Sequence, residues 1–506
     1  MPAQLKLYLV TFGFFIFAIF LGQAVAKEDY DTIAAIFFLV LLVMLVVVPG
    51  YEFFIALGIT SPFILPLPFA RNFPFFGLML GVCIVKAVFS RSLQKSQEER
   101  PRCYNVAILM LFGWVLLRYL MNPVKPNIGM SIGTNVTGFR AFFNYGLCAL
   151  FMVSLGFFIQ TREQAVRLVR WVGILSALFT FVLMGAAMSG SLSVAQFLSM
   201  FGIFVGFFDT GFMRLVVLPL LGCTVIALCF LPNVFVVRPM TRRLLLVLGA
   251  ASIFLGGSRA GMIGAFATVF ACALVRRRVV PVTLVLTFMI GCLLIFRFVG
   301  EYYNFREGVG LLRVISLVSE RAAELTDAGQ TYKWRQARWE RAIEDIKKDP
   351  VIGSSYGGLD NAYTFANRAD YAVQSVDIDL ASGSIHNGYL AGARAFGVPF
   401  CLLFIFILGS RIITHGIQSA RLNRVDPALG DLHAFVFANL ICQAFYIAIG
   451  SDLNNPVVWF CIALGFLVSH LKPAHAPAYH SQENTWRTQG RARPMLPEMP
   501  LPSLPR

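Results

Sequence analysis

Long apolar runs dominate this chain. About 20 consecutive apolar residues are enough for one helix to cross the hydrocarbon of a bilayer. Inside lipid only structures that satisfy their own backbone hydrogen bonds survive, so such runs dictate helices. They fall near 6–26, 32–48, 51–68, 73–90, 103–121, 138–160, 167–187, 212–231, 243–257, 260–275, 280–299, 386–409, 434–450 and 456–470. Pro49-Gly50 breaks one long stretch, and Gly256, Gly257, Ser258, Arg259 and Gly261 break another. The expected fold class is an all-α polytopic membrane protein with about 12–14 transmembrane helices. About eleven of these fall within 1–299 and about three within 386–470, with a loop domain at 300–385 between them and a disordered tail at 471–506. Composition agrees: 58% of residues are apolar and 13% charged, against about 25% charged in a soluble chain. The first run is followed directly by others and reads as a first transmembrane helix, not a cleavable signal.

Charge sets the orientation. The net charge of +16 would suggest nucleic acid in a soluble protein; here cytoplasmic enrichment of Lys and Arg accounts for it, and no nucleic-acid partner is expected. Basic clusters at Arg91–Arg102, Arg162–Arg170, Arg238–Arg243, Arg276–Arg278 and Arg411–Arg424 fall on one side when the spans are counted, which makes that side and both termini cytoplasmic. The 300–385 segment then lies outside. It holds ten Lys+Arg and thirteen Asp+Glu, half of the chain's 26 acids, and is long enough to fold as a small unit. Within it, Tyr332 to Lys348 is a helix candidate stopped at Asp349-Pro350. Its expected apolar stripe is Trp339, Ile343 and Ile346, with Arg335 on the same stripe one turn earlier and Glu344–Lys348 as an i,i+4 pair.

On that outer side one histidine stands out. His386 closes the large loop in Ser384-Ile385-His386-Asn387-Gly388-Tyr389-Leu390, whereas the five other histidines fall on the cytoplasmic side or in the tail. In the first turn of a helix the dipole disfavours imidazolium, so a neutral, proton-accepting ring is expected. Arg214, opening the eighth span, and Arg259, in the Gly-Gly-Ser-Arg-Ala-Gly break, share the outer level. Guanidinium forks match phosphate oxygens, and a lipid diphosphate is an anion such arginines can meet. Arg394, about two turns into the twelfth span, calls for a polar cavity or partner. Asp377-Ile378-Asp379 is the one paired-carboxylate motif nearby, and no metal or other cofactor is expected. The ten cysteines lie in or beside apolar runs without CxxC spacing, which points to helix packing and away from disulfides or zinc.

Three motifs together resemble the O-antigen ligase and O-antigen polymerase superfamily: Ser258-Arg259-Ala260-Gly261; Arg335 to Trp339 and Ala342, running on to Pro350 and Gly353; and His386-Asn387-Gly388-Tyr389-Leu390 with Gly397 after it. Arg214 fits a looser fourth element, and the resemblance spans roughly 210–410. Two positions depart from the pattern: Ala395 replaces a frequent acid, and Ser354-Ser355 replaces a second near glycine. The resemblance implies a membrane glycosyltransferase of the bacterial inner membrane, with its site facing the periplasm. Its donor is an undecaprenyl-diphosphate-linked glycan, and its acceptor is another glycan (polymerase, in O-antigen or exopolysaccharide assembly) or lipid A core (ligase). Other envelope polysaccharide assembly proteins are implied partners. His386 would be the base, with Arg214, Arg259, Arg335 and Asn387 on the diphosphate or substrate, in an inverting, metal-independent transfer. A transporter of lipid-linked glycan is the rival from another class, but neither charge chains in mid-span nor an inverted repeat supports it.

Overall fold

The computed structural model describes residues 50–276, 328–356 and 385–473 apart from 62–63, 68–69, 90–100, 124–138, 201–202, 204, 208–212, 216, 257–258 and 451–452, together with Val48, Gly291 and Leu380. The runs at 6–26, 32–48 and 280–299, most of the 300–385 loop including Asp377 and Asp379, and nearly all of the tail lie outside the described residues.

Fourteen helices occur among the described residues. They are α1 (Glu52–Thr60), α2 (Phe75–Phe89), α3 (Val106–Met121), α4 (Phe139–Phe158), α5 (Arg162–Ser189), α6 (Leu192–Met200), α7 (Leu218–Cys229), α8 (Pro239–Gly256), α9 (Arg259–Arg276), α10 (Ala328–Lys348), α11 (Gly388–Phe396), α12 (Val398–Leu422), α13 (Pro427–Ile449) and α14 (Pro456–His470). Four of them, α4, α5, α12 and α13, are long and apolar enough to cross a membrane, and α2, α3, α7, α9 and α14 contain shorter apolar helices. The fold is the expected all-α polytopic type. Two short antiparallel hairpins add to it: β1 (Ile64–Leu67) with β2 (Ala70–Pro74), and β3 (Val205–Phe207) with β4 (Met213–Leu215).

Helix α13 is the axis of the bundle. It packs against α9, α12 and α14 and touches α7 and α11. A helix apolar on every side belongs inside, and residues 429–440 of α13 are all buried. Around it, outward side chains such as Phe181 on α5 and Leu402, Phe406 and Ile413 on α12 stay exposed to meet lipid. At the N-terminal end of α12, Phe396, Phe400, Phe404, Tyr145 and Trp459 form a chain of tilted and edge-on ring contacts. The nine described cysteines are buried and free, as packing residues should be.

One expected span is two helices. The run at 386–409 breaks at Gly397, between α11 and α12. The cause is a second chain segment that docks there. Ser354 N–H donates to Arg394 O at 2.6 Å, Ser355 N–H to Ala395 O at 3.0 Å, and Val398 N–H to Pro350 O at 2.7 Å. Gly353 and Gly397 have φ of 78° and 88°. A Cβ at Gly397 would lie 1.9 Å from Val351 O, and one at Gly353 would lie 2.5 Å from Gly397 N. Only glycine fits either position. Helix α3 closes the joint: Arg118 donates to Gly353 O at 2.6 Å and Trp114 Nε1 to Phe396 O at 2.8 Å. These bonds satisfy backbone groups that a broken helix would otherwise leave unpaired in an apolar setting.

Candidate active site

The site is built around the C-terminal end of α13. The last four carbonyls of a helix lack intrahelical partners and carry the negative end of its dipole, so cations gather there. Arg335 of α10 does so, its Nη1 donating to Ile449 O at 3.2 Å. The next residue, Gly450, faces Ala260, whose Cβ would lie 3.5 Å from a Cβ built there. The start of α9, where Arg259 stands, therefore reaches the same end of α13. Gly256, just before it, packs on Pro219 and on the carbonyl of Leu215. Arg214 precedes Leu215 in β4, paired with Gly206 of β3. Arg214 thus lies in a strand ahead of α7 instead of opening that helix. Backbone packing brings the Arg214 and Arg259 segments together, and the Arg259 segment to the end of α13 that Arg335 caps.

Helix α10 positions the rest. It begins at Ala328, earlier than expected, and ends at Lys348 before Asp349-Pro350, as expected. Its buried positions are Arg338 and Ala342, flanked by partly buried Arg335, Trp339, Asp345, Ile346 and Asp349. Ile343, expected on the inner stripe, is exposed. Glu344 pairs with Arg341 at 3.0 Å, and Lys348 lies 3.8 Å from Asp345, so the expected Glu344–Lys348 pair is replaced by two i,i+3 contacts. Ala342, Ile385, Leu380 and Ala391 form a small buried cluster that seats α10 on the start of α11. Arg394 latches the two helices: its Nε donates to Asp345 at 2.9 Å and its Nη1 to Leu380 O at 2.6 Å. The polar partner expected for this deep arginine is therefore Asp345.

His386 sits where these helices meet. Its φ of 56° is left-handed, a conformation that costs a non-glycine residue about 1–2 kcal/mol and persists only when its surroundings hold it. They do so from both sides. Trp339 Nε1 donates to Ile385 O at 3.2 Å, and Asn387 caps α11 by accepting from Leu390 N–H at 3.1 Å. The helix starts at Gly388, so His386 lies just before the cap and not in the first turn. The cap occupies Oδ1 of Asn387 and leaves Nδ2 as the amide group that could meet a substrate. The His386 ring lies against Trp334, centroids 5.7 Å apart, and the Arg338 guanidinium covers Trp334. Burial, and after it the charges of Arg335 and Arg338, push the imidazole down to about 4. The ring is neutral near pH 7, as expected, but through burial and two guanidinium groups more than through a helix dipole. Burial, with Arg335 beside it, pushes Arg338 down to about 9, which still leaves it charged at neutral pH.

Sequence reasoning missed Arg338 and Trp334. The signal was present: Arg338 follows Arg335 by three residues and Trp334 by four, which places all three on neighbouring helical positions. A stripe traced through the apolar residues of α10 passes Arg338 by.

The chemistry available is that of a neutral base beside fixed cations, at one end of a multi-pass helical bundle. Residues 244–405 match the family model described as O-antigen ligase. The match includes Arg259, Arg335, Arg338 and His386. No curated protein matches the chain.

Proposed function

We propose that the protein is an inverting glycosyltransferase of the bacterial inner membrane that acts at the periplasmic face. It moves a glycan from undecaprenyl diphosphate to a sugar hydroxyl, as a polymerase of O-antigen or exopolysaccharide. The observation that carries this reading is the gathering of Arg335, Arg338 and His386 at the end of α13, with the Arg259 segment against the same end. The acceptor oxygen attacks the anomeric carbon, and the bond from that carbon to the diphosphate oxygen breaks. The hydroxyl proton passes to the imidazole of His386, and the electron pair leaves with undecaprenyl diphosphate. Diphosphate carries its developing charge into the guanidinium groups of Arg214, Arg259 and Arg335, which need no metal for that task. Asn387 contacts substrate through Nδ2.

The alternative acceptor is lipid A core, which would make the protein a ligase, the word that the family description carries. Purified protein in lipid nanodiscs, given lipid-linked donor, decides the matter. Transfer to a second lipid-linked glycan supports the polymerase, and transfer to lipid A core supports the ligase. Movement of donor across a vesicle membrane without a new glycosidic bond would support a transporter instead. Turnover is expected to persist in excess EDTA. His386→Ala should lower it by about 100- to 10,000-fold, the contribution of a positioned base, with little change in melting temperature. Wild-type turnover in that variant removes the base, and loss in EDTA restored by Mg²⁺ moves the chemistry to a metal.

A further inference from the structure

Trp334 has a role that the transfer mechanism leaves unassigned. It is 37% exposed although both of its ring neighbours belong to the site. Arg338 covers one part of the indole, and His386 stands beside it at an interplanar angle of 47°. A large aromatic surface held open to solvent beside a base is unusual for a residue whose only task is packing, since closing it would remove apolar area from water. We propose that Trp334 is the platform on which the acceptor sugar lies, so that the attacking hydroxyl meets the imidazole of His386. The inference rests on His386 being the base.

The chemistry of a pyranose fits such a surface. One face of the ring presents C–H groups with partial positive charge, and the indole face is the negative side of its quadrupole. The hydroxyls project around the rim, where one of them meets the neighbouring imidazole. The platform is also rigid. A guanidinium over the ring is attracted to it, Arg338 is itself buried, and Trp334 and Arg338 are one turn apart on α10. An aromatic ring already fixed in its binding orientation loses little rotamer freedom when the sugar arrives. Stacking reads shape and not a hydroxyl pattern, so Trp334 would bind the acceptor class while other groups choose the sugar.

The test separates acceptor from donor. The probe is the oligosaccharide released by mild acid from the cell's own lipid-linked glycan, with binding followed by saturation-transfer NMR on the full-length protein in nanodiscs. Trp334→Leu should weaken oligosaccharide binding about tenfold and raise KM for acceptor about tenfold, with KM for donor unchanged. Trp334→Phe should restore both to within about threefold of wild type, as stacking requires. An indole at a membrane border also serves as an interfacial anchor. That role predicts lower melting with unchanged acceptor KM in Trp334→Leu, an outcome that overturns the proposal. Failure of the underlying mechanism looks different. There His386→Ala keeps its turnover, whereas failure of the platform alone leaves His386→Ala inactive and Trp334→Leu normal.

Discussion

The two ends of α13 are both rich in arginine, and they use it in opposite ways. At the Pro427 end the charges are closed into pairs. Arg162 bonds Asp426, Arg276 pairs with Asp431 and bonds Asn423, and Asp431 also accepts from the backbone N–H of Asn233. Arg167, near Arg162 at the start of α5, holds the buried Glu52 of α1. At the Ile449 end, Arg335 meets a neutral carbonyl, with no carboxylate on it among the described residues. Eighteen residues separate Asp431 from Ile449 on one helix, a rise of about 27 Å, close to the thickness of a bilayer core. A buried acid matched to arginine is a clasp. On the proposed reading, an arginine held against a helix terminus keeps donors for the diphosphate. The clasped end holds Arg162 and Arg276, each from a basic cluster expected on the cytoplasmic side.

If this division of labour holds, damage to the two ends must read out differently. The largest effect is expected at the clasp. Asp431→Ala leaves the buried guanidinium of Arg276 without its partner, and such a loss costs about 3–5 kcal/mol. The melting temperature should fall sharply, while turnover per folded molecule stays near wild type. Lost transfer at an unchanged melting temperature would place Asp431 in the chemistry and erase the contrast.

At the other end, lysine in place of Arg335 or Arg259 keeps the charge but not the fork. Donor KM should rise about tenfold, near 1.4 kcal/mol, because a point charge cannot bind phosphate oxygens in bidentate fashion. Melting should barely move. Normal donor KM in both variants would remove the diphosphate role from these arginines and leave them as helix-end counter-charges.

What the sequence disclosed, and what it hid, follows from the length scale of each signal. The bundle was legible because lipid forces a repeated pattern of about 20 residues, and His386 stood out as a candidate because charge counting expects it to be the one histidine on the outer side. The Gly397 break was not. Its cause is a distant segment, 350–355, whose backbone pairs with residues 394–398, and a local hydropathy pattern carries no trace of that. Arg338 was hidden for another reason. Hydropathy ranks a buried arginine as surface, yet here it lies on the inner face of α10 with Ala342 and Asp345. The same blindness explains why Ile343 was placed inside and is exposed. The strained backbone of His386 is a tertiary product, imposed by Trp339 on one side and the Asn387 cap on the other.

The smallest expected effect is a shift in pH dependence, and it bears most directly on how the open end works. In the free protein, burial and then Arg335 and Arg338 push His386 down to about 4. A base is active when unprotonated, so kcat/KM, which reports the free enzyme, should hold level down to about pH 5 and fall only as pH approaches 4. The bound donor changes the balance. A diphosphate beside the guanidinium groups offsets their charge, imidazolium becomes less unfavourable, and the His386 pKa rises. The acid limb of kcat, which reports the complex, should therefore lie at higher pH than the limb of kcat/KM. The bound anion would then strengthen the base at the step that needs it. Arg335→Gln removes one of the two cations permanently, so it should raise the His386 pKa in the free protein, visible by NMR of labelled histidine with His386→Gln as the assignment control. A limb of kcat at lower pH than that of kcat/KM has the wrong sign for an anion bound beside these arginines. An unmoved His386 resonance in Arg335→Gln would show that burial alone sets the imidazole, and that the open end of α13 does not couple donor to base.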